Sequence, residues 1–249
     1  MYRYQVKPFS DEFWDILNKK IESIKHREKP PYVAAFDADG TLWDIDVGEL
    51  FFEYQIGHSN LILPDEPYET YIKMREEKPF EALVWLAQIN SGHSLKKVRS
   101  WAHDCFRKLG HTIPVLPPMT ELIEHLYAND FEVYIVTASV KWSIEPFGQL
   151  FSVPPEKVIG TTTHVIDGII TDKEDLITYQ EKKVDGVMKY IGRRPHLAAG
   201  NAFSDRFLIE SATDINIAIQ SSPVGHLHQS ELKTRDLALE KGWLSHCFY

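Results

Sequence analysis

Residues 30–43, PPYVAAFDADGTLW, decide how the rest of the chain is read. Pro30 and Pro31 end whatever precedes them, because proline cannot continue a helix. Tyr32 to Phe36 then form a short apolar run without polar alternation. Such a run reads as a strand buried on both faces, as in a parallel sheet. It stops at Asp37, Ala38, Asp39 and Gly40, a polar turn at the carboxyl end of the strand, where glycine permits a sharp reversal.

Upstream, Phe13, Trp14, Leu17, Ile21 and Ile24 recur at helical spacing, with Ser10 or Asp11 placed to cap the start. Downstream, residues 47–112 are helical in character throughout, with Phe80, Leu83, Val84 and Ala87 followed by Leu95, Val98, Ala102, Cys105, Phe106 and Leu109. From Pro114 the pattern alternates. Helices are predicted near 118–129, 140–151, 180–191 and 203–211, and strands at 133–136, 158–159, 197–199 and 215–219. Strand followed by helix, repeated, predicts a parallel sheet with crossover helices. Asp167 and Gly168, between two β-branched runs, predict a hairpin attached to it. The expected architecture is therefore an α/β core of residues 1–46 and 113–249, interrupted after its first strand by a helical insertion of residues 47–112.

The chain has 249 residues, 43% of them hydrophobic, enough for a substantial buried core. Its net charge of −9 disfavours a general nucleic-acid binder, while a small anionic substrate remains compatible. Only Cys105 and Cys247 occur, without paired spacing, so neither a disulfide framework nor a cysteine zinc site is expected. With no secretory signal pattern and no apolar stretch of membrane-spanning length, the expectation is a cytoplasmic protein without a membrane partner.

In an open parallel sheet, groups just past the carboxyl ends of the strands share one crevice. Asp37, Asp39 and Thr41 fall there, as do Thr137 and Ser139, Lys182 and Lys183, and Asn201 with Asp205. Two carboxylates two residues apart can divide the work of nucleophile and proton shuttle. Thr137, with neighbouring N–H groups at a helix start, suits an anion. A lysine supplies positive charge, and Asn201 with Asp205 supplies the hard oxygen ligands that Mg²⁺ prefers. The combination predicts phosphoryl transfer to an aspartate.

These segments resemble the haloacid dehalogenase (HAD) superfamily, whose phosphatases open with DxDGT after a first strand. AFDADGTLW, IVTAS at Thr137, EKKVDG at Lys183 and AAGNAFSD ending at Asp205 follow the order of the four family motifs. The resemblance implies a doubly wound parallel sheet and a phosphomonoesterase acting through an aspartyl-phosphate on Asp37. Asp39 would protonate the leaving alkoxide and activate water. Thr137, Ala138 and Lys183 would hold the phosphoryl group, with Lys183 preferred over Lys182. Mg²⁺ would be held by Asp37, the Asp39 carbonyl, Asn201 and Asp205. The family usually has Asp where this chain has Asn201, and Asn201→Asp is expected to tighten Mg²⁺ binding.

An insertion directly after the first motif resembles the small cap of the phosphoserine-phosphatase-like branch, and ELIEHLYANDFEVYIVTAS, PEKVIGTTT and WLAQINSGHSLKKVRSWA resemble phosphorylcholine phosphatases. That likeness implies a small amino-alcohol phosphate as substrate, such as phosphocholine, phosphoethanolamine or phosphoserine. Asp46, assisted by Glu49, would face the amine, and Trp43 and Trp142, which flank the first two motifs, would line the pocket. Tyr54 and Trp85 read as packing residues, and His226 and His228 in GHLHQ as surface histidines of a polar loop. Two alternatives stand beside this reading. One is a catalytically silent binding or regulatory protein, suggested by Asn201. The other is a dehalogenase, disfavoured because Asp39 would have no proton to deliver.

Overall fold

The computed structural model describes residues 4–249, so the first three residues of the expected core segment lie outside the described residues. Helix α1 (Asp11–Arg27) starts at Ser10, whose side chain accepts the Phe13 N–H, and buries Phe13, Leu17, Ile21 and Ile24. Strand β1 (Tyr32–Phe36) follows, and every one of its residues is buried. It pairs in parallel with β2 (Phe131–Val140) on one side and with β5 (Leu197–Gly200) on the other. The remaining strands are β3 (Val158–Ile166), β4 (Ile169–Leu176), β6 (Ile215–Gln220) and β7 (Leu244–Cys247). Sheet order is β4-β3-β2-β1-β5-β6-β7, parallel except where β4 turns back on β3. The chain therefore winds away from β1 in both directions, and the crevice expected at such a reversal lies at the carboxyl end of β1.

Between β1 and α6 (Pro117–Ala128) lie α2 (Val47–His58), α3 (Pro67–Glu77), α4 (Pro79–Gln88) and α5 (Leu95–Leu109). Proline occupies the first turn of α3 and α4, where its missing N–H costs nothing. Ser94 caps α5, which buries Val98, Trp101, Ala102 and Cys105. This helical layer is fastened to the sheet by main-chain bonds to the β3–β4 hairpin: Gly92 N–H to Ile170 O, Ile170 N–H to His93 O and Leu95 N–H to Gly168 O, each 2.9 Å. The buried Glu145 carboxylate adds a second tie, accepting two bonds from Arg99 of α5 at 2.6 and 2.7 Å.

Several elements differ from the sequence expectation. Strand β2 runs on through Thr137 to Val140, with its register to β3 shifted between Val136 and Val140. The helix expected over 140–151 is only α7 (Lys141–Ile144) and a 3₁₀ turn at 147–151, since Pro146 interrupts it. Helices α8 (Lys182–Tyr190) and α9 (Arg206–Ser211) fall where helices were expected. Past β6, however, the GHLHQ segment is no loop. It opens α10 (Gly225–Lys241), which packs on the sheet and stops at Gly242, with β7 after it.

Candidate active site

Asp37 leaves β1 with its N–H on the Ala199 carbonyl of β5, 2.9 Å away, so the adjoining strand aims it. Its Oδ1 accepts Lys183 Nζ at 2.6 Å and its Oδ2 accepts Thr41 Oγ1 at 3.0 Å. Lys183, on α8, is buried and also donates to Asp205 Oδ1 at 2.7 Å. Burial opposes the charge on Lys183, but Asp205 and Asp37 outweigh it and hold its pKa above the usual lysine value. Lys182 points elsewhere, exposed, with Nζ 4.6 Å from the centre of the Phe80 ring. Burial and the neighbouring Asp205 charge push Asp37 up to about 6 against the pull of Lys183, leaving it mostly ionised at neutral pH.

Asp39 meets a different environment. Its Oδ1 accepts the Trp43 indole N–H and the Val47 N–H, both at 2.8 Å, and its Oδ2 lies 2.7 Å from Ser139 Oγ. Burial first, and then the charges of Asp46 and Asp37, push its pKa up to about 8. Two carboxyl groups side by side are thus set apart in protonation, the arrangement that lets one attack and the other donate a proton.

Asn201 follows β5, and Thr41 Oγ1 lies 3.2 Å from its Oδ1. Gly40 has φ +79°, and a Cβ there would fall 2.2 Å from Asn201 Nδ2, so both the turn and the close approach require glycine. Asp205 Oδ2 accepts the Ala202 N–H at 2.9 Å, fixing the turn that carries both residues. Among the described residues no cluster of three or more His, Cys, Asp and Glu side chains forms a metal site. A metal here would therefore draw on Asn201 and the Asp39 carbonyl beside Asp37 and Asp205. These are all hard oxygen donors, and the side chains of Asp37, Asn201 and Asp205 converge on Thr41 and Lys183, which fits Mg²⁺.

Thr137 lies within β2 rather than before a helix, and its Oγ1 accepts the Ser139 N–H at 3.1 Å. Only a four-residue helix follows, so the helix start expected beside Thr137 is absent, and Thr137 and Ala138 stand on the irregular end of the strand. Asp46 caps α2 through a 2.8 Å bond from the Glu49 N–H and stays half-buried beside the carboxylates. Glu49 is taken up by Tyr68 and Arg75 of α3, which bond its two oxygens. The two tryptophans expected in the pocket are core residues instead. The Trp43 ring packs near Phe147 and Phe151 while its N–H holds Asp39, and Trp142 is 2% exposed with its N–H unpartnered.

A cavity of about 350 Å³ opens over Asp39 and Gly40, walled by Asp44, Asp46, Ser222 and Leu227. A recess of about 250 Å³ adjoins it, with Asp44, Asp46, Glu49 and Glu53 in its wall. A larger cavity, about 580 Å³, lies between α5 and the hairpin tip and shares no residue with these. The wall contributed by the segment before α10 was missed from sequence, as were Arg75 and the buried Glu231 of α10.

A family model described as haloacid dehalogenase-like hydrolase matches residues 34–206. The chain belongs to that family. No curated protein matches it significantly. Among solved structures, this haloacid dehalogenase-like hydrolase is similar to a protein of unknown function from Bordetella pertussis Tohama I, with TM-score 0.69 and 19% identity over 87% of this chain and 98% of that one. A phosphoserine phosphohydrolase-like protein from Francisella tularensis subsp. tularensis SCHU S4 aligns with TM-score 0.53 and 19% identity, covering 83% of this chain and 93% of that one. A substrate-bound phosphoserine phosphatase aligns with TM-score 0.50 and 15% identity, covering 86% and 99%. At these identities the likeness is one of fold.

Proposed function

We propose that this hydrolase is a Mg²⁺-dependent phosphomonoesterase that forms an aspartyl-phosphate on Asp37 and acts on small amino-alcohol phosphates. The observation that carries the reading is the contrast between the two carboxyls after β1. Asp37 is ionised against Lys183, while Asp39, pushed up to about 8, keeps a proton at neutral pH. Asp37 attacks phosphorus, and Asp39 gives its proton to the departing alkoxide and then takes one from the water that hydrolyses the acyl phosphate. Lys183, Thr137 and the Ala138 N–H hold the phosphoryl oxygens. Bound through Asp37, the Asp39 carbonyl, Asn201 and Asp205, Mg²⁺ supplies charge neutralisation of the phosphoryl group.

Residues 47–112 act as the cap, and the acidic wall of Asp44, Asp46 and Glu53 supports a cationic leaving group. With Glu49 paired to Arg75, Asp46 is the stronger candidate to face the amine, on phosphocholine, phosphoethanolamine or phosphoserine. The cavity volume suits a small ligand. Two unpaired cysteines support a reducing compartment such as the cytoplasm.

The test is hydrolysis of a panel of small phosphate esters, including these three and a neutral aryl phosphate, with Mg²⁺ and with chelator. Expected are Mg²⁺-dependent turnover, preference for the amino-alcohol esters, and loss of about 10³-fold or more in Asp37→Asn. Release of halide from haloacids without phosphate release from any ester would reverse the assignment, and inactivity on both would favour a binding protein.

A further inference from the structure

Behind Asn201 lies a carboxylate that this scheme leaves unused. Glu231 of α10 has no solvent exposure. Its Oε1 accepts Asn201 Nδ2 at 2.9 Å, and its Oε2 accepts the main-chain N–H groups of Ser221 and Ser222 at 3.2 and 3.0 Å. Ser221 Oγ donates to the Gly40 carbonyl at 2.6 Å and lies 3.2 Å from Glu231 Oε1. This buried carboxylate therefore joins the turn after β5 to the segment after β6, and Ser221 carries the connection on to the turn after β1.

These contacts settle which way round the amide sits. A carboxylate only accepts hydrogen bonds, so the Asn201 amino group must face Glu231 and its carbonyl oxygen must face Thr41, which also reaches Asp37. A Cβ at Gly40 would fall 2.2 Å from the amide nitrogen, so the glycine turn lets the amide sit close against it while the hydrogen bonds fix its orientation. An N–H bonded to a carboxylate also pushes electron density onto the amide oxygen, which improves it as a ligand for a hard cation. Aspartate at 201 would instead set two carboxylates against each other without water between them.

We propose that Glu231 is a positioning residue for the metal, orienting the Asn201 oxygen and supplying from α10 the negative charge that this position lacks. The proposal rests on the Mg²⁺-dependent reading above. It reverses the expectation that Asn201→Asp tightens Mg²⁺ binding.

Calorimetric Mg²⁺ titration and thermal melting of the substrate-free, metal-free protein test it on Glu231→Gln, Asn201→Asp and the double variant. Glu231→Gln should weaken Mg²⁺ about 10- to 100-fold, the usual cost of removing a partner that orients a ligand. Asn201→Asp should lower the metal-free melting temperature and fail to bind Mg²⁺ more tightly. The double variant, with its acid and amide exchanged, should recover both melting temperature and affinity. Wild-type affinity in Glu231→Gln, or a double variant no better than Asn201→Asp, overturns the proposal. If the wild type bound no Mg²⁺ at millimolar concentration, the metal-dependent reading would fail by itself. The metal-free melting temperatures would still decide whether positions 201 and 231 together hold a single buried negative charge, because only that arrangement predicts rescue by the exchange.

Discussion

Asp37 and Asp39 are the same side chain two positions apart, and their neighbours make them different acids. Asp39 must carry a proton to serve an alkoxide, so turnover should fall as pH rises through about 8, the value to which burial, Asp46 and Asp37 push it. Asp46→Asn removes the foremost like charge, lowers the Asp39 pKa, and should move that alkaline limb to lower pH. A pH profile of kcat for wild type and variant checks the sign, and an unmoved limb would assign it to another group. Lys183 gives a second prediction. It is the cation between Asp37 and Asp205, so Lys183→Met leaves two buried carboxylates unpaired and should cost about 3–5 kcal/mol of metal-free stability by urea unfolding. Lys182→Met should cost almost nothing, because that side chain is exposed.

At the scale of elements, α2 begins at the residue proposed to read the substrate. Asp46 caps the helix through the Glu49 N–H, so removing its charge and removing its cap are separable changes. Asparagine caps nearly as well as aspartate, whereas Asp46→Ala forfeits about 1 kcal/mol of helix stability. Asp46→Asn should therefore melt like wild type yet lose about 1 to 3 kcal/mol of transition-state binding on amine-bearing esters, with little change on a neutral aryl phosphate. Comparing kcat/KM on both substrate types measures this, and equal losses would take Asp46 out of amine recognition. Element prediction from sequence succeeded where the signal is local. Ser10 marks a helix start, and Asp167 with Gly168 marks a turn, where both residues have positive φ. It failed at α10, whose apolar residues Leu227, Leu232, Leu237 and Leu239 do not gather on one face and whose first turn looks like a polar loop.

At the scale of the molecule, the helical layer shares one apolar core with the sheet, and hydrogen bonds to the β3–β4 hairpin and the Arg99–Glu145 pair fasten it further. The amides of Gly92, Leu95 and Ile170 should therefore resist hydrogen exchange in the substrate-free protein about as well as those of β3. Exchange as fast as in an exposed loop would mean that the layer detaches from the sheet. The strand β1, the turn that follows it, the alternation of helix and strand and the acidic groups at strand ends were all legible in the chain, because period, breakers and caps act over a few neighbouring residues. Their partners were not legible. Only the family motif favours Lys183 over Lys182, and the buried contact of Lys183 with Asp37 agrees with that preference; charge and period alone do not choose between them, since adjacent residues on a helix point about 100° apart. That the Trp43 and Trp142 rings are core, that Arg75 occupies Glu49, and that Glu231 stands behind Asn201 were decided by contacts between segments far apart in sequence. Such contacts exist only once the sheet has ordered its strands, and a buried charge reveals its role only through the group it is buried against.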